Sequence, residues 1–265
     1  MKILAVASLL SLADAHFTTG HLLVNGTDTD LWKHVLKVGI FGNPVTNGGF
    51  PPDNHFAQIV PQYSSDGWHN PNLTCGRLAF DAVKDTAVAD VIAGEDIGFR
   101  VMSDMEIDPR YNGGVMYGKF FHQGPAQVYL SRAPNDDFMS YRGDGDWFKV
   151  AYQGPLNDTD WLLWGKQEYN FTLPRTTPPG KYVMRFEYFM PTSEKGYVQF
   201  FPNCALINVI GPGGGTPGPF VKIPDHYNEE DPGFWLPFNQ EYGRLPADQM
   251  RMSEYKPPGP PVWKG

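Results

Sequence analysis

The sequence predicts an all-β protein, an antiparallel β-sandwich of the immunoglobulin or fibronectin kind with long loops. Three observations predict it. Glycine (29) and proline (25) supply about a fifth of the 265 residues, and proline breaks helix interiors and central strands alike. No long stretch repeats its apolar residues at the helical period; short β-branched and aromatic runs recur instead. Between them lie turn-forming clusters such as Asn43–Pro52, Arg142–Asp146 and Thr176–Gly180. An apolar content of 41% is enough for a real core. The length suits one large β domain with long loops, or two small domains.

Charge and cysteine content narrow the function. With 21 Lys+Arg against 29 Asp+Glu the net charge is −8, which argues against nucleic acid or an anionic membrane as the main partner. Two cysteines are too few for a disulfide scaffold or a Cys-based zinc site.

The chain opens with MKILAVASLLSLADA, residues 1–15. Lys2, the apolar run Ile3–Leu12 and Ala13-Asp14-Ala15 read as a secretory signal peptide with an A-x-A cleavage site. The run is too short to span a bilayer, and the alternative is a short buried helix. A secreted, extracellular protein follows. Sequons at Asn25, Asn72, Asn157 and Asn170 then predict glycosylation. In an oxidising compartment Cys75 and Cys204 are expected to pair, the alternative being two buried free thiols. Such a bridge closes a loop worth up to roughly 4–5 kcal/mol in the chain-entropy model. Cleavage after Ala15 also leaves His16 first. Its α-amine, with a reference pKa near 8, and its ring nitrogen could then chelate one metal ion.

Strand candidates follow in order: Ile97–Met102, Gln127–Leu130, Trp147–Tyr152, Tyr182–Tyr188, Tyr197–Phe201 and Leu206–Ile210. Each is a short apolar or alternating run bounded by turn residues. Trp32–Asn72 carries little strand signal, and loops of that length tend to be functional or disordered. After Ile210 the chain reads GPGGGTPGP, a flexible or polyproline-like stretch. The expected division is 1–15 signal peptide, 16–242 β-sandwich domain and 243–265 a proline-rich, poorly packed tail.

Seven histidines are present, but no H-E-x-x-H, G-x-S-x-G or P-loop pattern. No spacing singles out a carboxylate pair for glycosidase chemistry. His122 stands out by context. Phe121-His122-Gln123-Gly124-Pro125 immediately precedes the Gln127–Leu130 strand, so a ring there is fixed at a loop-to-strand junction.

The pieces form an ordered series. It runs His16-Phe-Thr-Thr-Gly-His, Leu73-Thr-Cys75-Gly, Ala87–Gly94, His122-Gln-Gly-Pro125 and Gly143-Asp-Gly-Asp-Trp-Phe148. It continues with Pro179–Glu187, Gln199-Phe-Phe-Pro-Asn-Cys204, Gly214–Pro219 and Asp231-Pro-Gly233. The series resembles fungal lytic polysaccharide monooxygenases of auxiliary activity family 9. The resemblance implies a copper "histidine brace", with amine and ring nitrogen from His16 and a third nitrogen from His122. Such nitrogen sets suit Cu(II). It also implies oxidative cleavage of a β-1,4-glucan, typically cellulose, at C1 or C4, with an external electron donor, and it matches a Cys75–Cys204 disulfide. Gln199 would lie near the bound oxygen species, and Phe201 would stand where the family has an axial Tyr.

Two departures accompany the resemblance. Phe201 lacks the phenol oxygen, and Tyr188–Lys195 contains no outer-sphere histidine. Losing such a hydrogen-bond donor slows or redirects chemistry. Met105–Tyr117 reads as an insertion. Tyr63, Trp68, Tyr227 and Trp235 are the candidate sugar-stacking aromatics, and His21 and His69 read as loop histidines. The alternatives are a brace protein with weak or no oxygenase activity and a metal-free carbohydrate-binding sandwich. A monomer is expected.

Overall fold

The computed structural model describes residues 16–39, 56–107, 118–194, 196–237, 240 and 245–265. The expected signal peptide, His55, the Asn43–Pro52 cluster and most of the expected insertion lie outside the described residues. In chain order the strands are β1 (His21–Val24), β2 (Thr27–Asp28), β3 (Gln62–Tyr63), β4 (Ala89–Ile92) and β5 (Asp96–Arg100). Then come β6 (Ala126–Arg132), β7 (Phe148–Gln153), β8 (Glu168–Thr172), β9 (Gly180–Met190) and β10 (Gln199–Ile210). Short helices α1 (Phe56–Ile59), α2 (Asn72–Cys75) and α3 (Asp104–Ile107) lie in the connections.

One sheet has the order β2-β1-β5-β8; the other runs β3-β10-β9-β6-β7, with β4 added to β10. Pairings are antiparallel except β4, which runs parallel to β10. The expected sandwich is therefore present, with one parallel edge. β10 differs from expectation: Leu206–Ile210 and the Gln199–Phe201 part of the expected Tyr197–Phe201 strand belong to one continuous strand. Pro202 is tolerated because β3 pairs only with Gln199 and Phe200 and β4 only from Ile207 onward. Pro202 thus falls in the gap on the outer edge, where it breaks no ladder bond with either strand.

The period of two along β9 and β10 sorts side chains between two buried faces. Met184, Phe186 and Tyr188 with Phe201, Ala205 and Ile207 meet Leu22, Ile97 and Phe99 of the other sheet. Val183, Phe189, Phe200, Cys204 and Leu206 point the other way, onto Tyr141, Trp147, Tyr227 and Phe234 of the long loops. Both faces are dry, so these strands read as continuous apolar runs. The Cys75–Cys204 disulfide ties α2 to β10.

The C-terminal segment corrects an expectation, since its described residues 245–265 are anchored to the sandwich by a few packed side chains. Met250 and Met252 are buried against Trp161. The Trp263 N–H donates to the Lys149 carbonyl (2.8 Å), and its ring meets Phe148 edge-on at 5.4 Å. The buried Lys149 ammonium donates to the Pro258 carbonyl at 2.8 Å. β7 is an edge strand, and the segment covers it, as exposed edges usually require.

Candidate metal centre

His16 and His122 come together although 106 residues separate them. Their rings lie 5.7 Å apart at 53°. The segment after His16 is anchored by one side chain. Asn203 Oδ1 accepts from Thr18 Oγ1 (3.1 Å), Thr19 N (2.9 Å) and Thr19 Oγ1 (2.8 Å). Because Asn203 follows Phe201 by two residues on β10, the same strand holds His16 and supplies the floor beneath it.

His122 is fixed from the opposite side. The Tyr188 hydroxyl on β9 donates to the His122 carbonyl at 2.6 Å. A Cβ at Gly124 would lie 1.9 Å from the Phe189 carbonyl oxygen, so only glycine lets this stretch approach β9 so closely. Burial, and then repulsion from His16, pulls the His122 ring down to about 4. The imidazole is neutral at ordinary pH and keeps a lone pair. Its Nε2 is buried without a hydrogen-bond partner, which is costly unless something coordinates it.

The floor is aromatic. Phe201 lies 6.2 Å from the His16 ring and 5.6 Å from the His122 ring. It stacks on Phe17 at 4.4 Å, and Phe17 meets Tyr188 and Phe120 edge-on at 5.2 and 5.3 Å. Gln199 is two residues from Phe201 on β10 and so shares its face. Its Oε1 is buried without a hydrogen-bond partner.

The donor set fits copper. Two imidazoles over an apolar floor offer nitrogen, whereas calcium and magnesium want oxygen. Among the described residues no group of three His, Cys, Asp or Glu side chains is assembled for a metal. The His16 nitrogen is an amide in the uncut chain and an amine only if the chain is cut before it.

Two imidazoles converging at the end of a β-sandwich define a candidate metalloprotein of the sandwich class. The chain belongs to Auxiliary Activity family 9 (formerly GH61), whose family model matches residues 16–244. It is 48% identical, over the full length of both chains, to AA9 family lytic polysaccharide monooxygenase U of Thermothielavioides terrestris. It is 33% identical to AA9 family lytic polysaccharide monooxygenase G of Aspergillus tamarii, across 98% of this chain and 69% of that one. Among solved structures, a cellulose-active polysaccharide monooxygenase from M. thermophila shares the fold. Its TM-score is 0.64 at 23% identity, covering 94% of this chain and all of that one. The chain is thus a lytic polysaccharide monooxygenase, an oxidoreductase. Enzymes of the family are copper enzymes that act on polysaccharides and need an electron donor, and the fungal ones are typically secreted.

Other sequence candidates fare differently. Tyr227 is corrected: it is 0% exposed and donates to both Glu187 carboxylate oxygens (2.6 and 2.7 Å), so it is core. Trp68 is half-buried and packs on Phe234 and Phe200 at 5.0 and 5.9 Å. Trp235 is also half-buried, with its Nε1 donating to the Glu229 carbonyl. Tyr63 is half-buried and pairs with Gln199. His21 is corrected from a loop histidine to a buried one, 3% exposed, with Nε2 2.9 Å from Glu106. His69 is exposed, as expected. Asn25, Asn157 and Asn170 are exposed and Asn72 is half-buried. Sequence reasoning passed over Tyr188, Asn203 and Trp164. Tyr188 acts through one contact to the distant His122 backbone, and Asn203 through three contacts to the distant Thr18 and Thr19, which leave no local signal. Trp164 lies in an apolar loop run, Trp161–Trp164, with no alternation to show which residue faces out.

Proposed function

We propose that the mature chain begins at His16, after loss of residues 1–15, and holds one copper ion. The ligands would be the His16 α-amine, a His16 ring nitrogen and Nε2 of His122. The buried, unpartnered Nε2 of His122 beside the His16 ring is the observation that carries this reading. The start of the family match at residue 16 supports it. Bound copper supplies the electron-transfer and oxygen chemistry by which the family oxidises glycans. The protein's part is to hold and shield. Tyr188 orients the His122 backbone, Asn203 orients the His16 segment, and Phe17 with Phe201 keeps water from beneath the rings. Phe201, close to both rings, would offer the metal no oxygen. The Gln199 side-chain amide offers a hydrogen bond beside the metal.

The substrate is a cellulose-like β-1,4-glucan, attacked at C1, C4 or both with electrons from an external donor. Secretion, glycosylation at Asn25, Asn72, Asn157 and Asn170, and a monomeric state belong to the same reading. Neither nucleic acid nor a membrane is a partner. A second reading, a copper-binding protein with weak or no oxygenase activity, is favoured by Phe201 and by the absence of histidine from 188–194.

The test is copper-loaded mature protein with a reductant on amorphous cellulose, analysed for oxidised oligosaccharides. Copper binding without products on cellulose, xyloglucan or glucomannan selects the second reading. His16→Ala and His122→Ala should each abolish tight copper binding, as should one extra residue before His16. Retained tight binding in these variants overturns the brace.

A further inference from the structure

A concave cavity of about 670 Å³ opens beside the metal centre, lined in part by Lys119, Phe121, His122, Trp164, Met190 and Leu236. Its walls are held by backbone pairing. On one side the Phe120 N–H donates to the Lys166 carbonyl (2.8 Å) and the Gly165 N–H to the Phe120 carbonyl (2.9 Å). This locks the Trp164 loop to the stretch that carries His122. On the other side the Thr192 N–H donates to the Phe234 carbonyl (3.2 Å) and the Leu236 N–H to the Thr192 carbonyl (3.1 Å). The cavity is therefore preformed.

Trp164 is 41% exposed, yet its Nε1 donates to the Phe121 carbonyl at 2.8 Å. The indole is a fixed platform, so a ligand stacking on it orders little. An aromatic face is partly negative, and the axial C–H groups of a pyranose are partly positive. Lys119 and Gln123, also in the lining, supply N–H donors for hydroxyls. No carboxylate is among the described lining residues.

An undecorated β-1,4-glucan is a flat ribbon and projects nothing that would fill such a cavity. A sugar attached at C6 does project, and pockets of this size take ligands of one to several rings. We propose that the cavity is a side-sugar subsite: a neutral pentose or hexose branch on C6 of the glucan stacks on Trp164 while the backbone passes His122. The inference rests on the polysaccharide reading of the metal centre.

The test measures binding, by calorimetry and tryptophan fluorescence, of cellotetraose and its α-1,6-xylosylated counterpart to the metal-free mature protein. The branched ligand should bind about tenfold tighter, the scale of one good aromatic contact, and should quench tryptophan emission. Trp164→Ala should equalise the two ligands and remove the quench, and Trp164→Phe should keep part of the preference. Lys119→Ala, which leaves the indole in place, should weaken the branched ligand alone. Equal affinities in the parent protein, or a preference that survives Trp164→Ala, overturn the inference. Oxidised products from amorphous cellulose without discrimination between the two ligands overturn it and leave the proposed function standing. No binding of either ligand and no oxidised product overturn both.

Discussion

The two faces of the β9–β10 pair are equally buried and differently built. The face beneath the candidate metal centre is hydrocarbon: Phe201 stacks on Phe17, and Phe120 stacks on Tyr188 at 5.2 Å. Its polar atoms are few and specific, chiefly the Tyr188 hydroxyl on the His122 carbonyl. The opposite face, beneath the long loops, buries charge. Arg185 Nη2 donates to Glu187 Oε1 at 2.6 Å, with both side chains 0% exposed. Gln127 and Tyr227 also donate to the Glu187 carboxylate. Arg185 donates to the Thr74 and Leu73 carbonyls at 2.6 and 2.8 Å, which secures α2 beside the disulfide. Packing sets position on the first face, whereas on the second a hydrogen-bonded ion pair fixes how the loops sit. A buried pair adds little net stability, but breaking it is severe.

Breaking the charged face should have the largest effect. Glu187→Leu strands Arg185 and should lower unfolding free energy by about 3–5 kcal/mol, measured by denaturant titration. Combining it with Arg185→Met should recover much of that loss. On the hydrocarbon face Phe17→Ala should cost a similar amount, about 3–5 kcal/mol through its cavity. The two differ in their second readout. Phe17→Ala should weaken copper binding because it unseats His16, and Glu187→Leu, read on the folded fraction, should not.

Tyr188→Phe sharpens the comparison with one atom. It leaves the part-buried His122 carbonyl without this donor, a penalty of about 1–3 kcal/mol. It should also lower copper affinity by about tenfold, as loss of a ligand's supporting contact does. Isothermal titration with copper checks this. Unchanged affinity would mean that packing alone fixes His122.

The smallest effect lies away from both faces, at His21. Burial alone would lower its pKa, but hydrogen bonds from its ring to Glu106 and the Thr29 carbonyl, with the Glu106 charge, outweigh that and raise it above 6.5. Burial would raise Glu106, yet bonds from His21 and Ser103 hold it down to about 2. Asp28 and Arg100 also face the ring. The sign follows from linkage. The Glu106 contribution is present above its free value of 4.5 and is lost as pH falls toward 2. The His21 contribution is present below 6.5 and is lost as pH rises through the raised value. Attachment of α3 to β1 should therefore be strongest between those limits. Hydrogen exchange at Glu106 and Ile107 should quicken above that window, and Glu106→Gln should remove the dependence.

Much of this was legible in the sequence, and for local reasons. Turn chemistry and a period of two marked the strands, because side-chain direction alternates along any extended chain. His16 and His122 stood out because the expected cleavage site and a Gly-Pro junction are written in adjacent residues. The ordered series of short motifs carried the family resemblance. What only the tertiary structure decided depends on pairing between distant segments. It put Tyr227 in the core on Glu187 and His21 among carboxylates. It ran β10 unbroken through Pro202, which falls where neither β3 nor β4 pairs. It packed residues 245–265 over the β7 edge, because an unpaired edge strand offers hydrogen bonds that even a proline-rich segment can meet. It also set an exposed Trp164 beside His122. Local sequence encodes local geometry, but the contacts that make a cavity or a floor arise only when strands far apart in the chain fall into register.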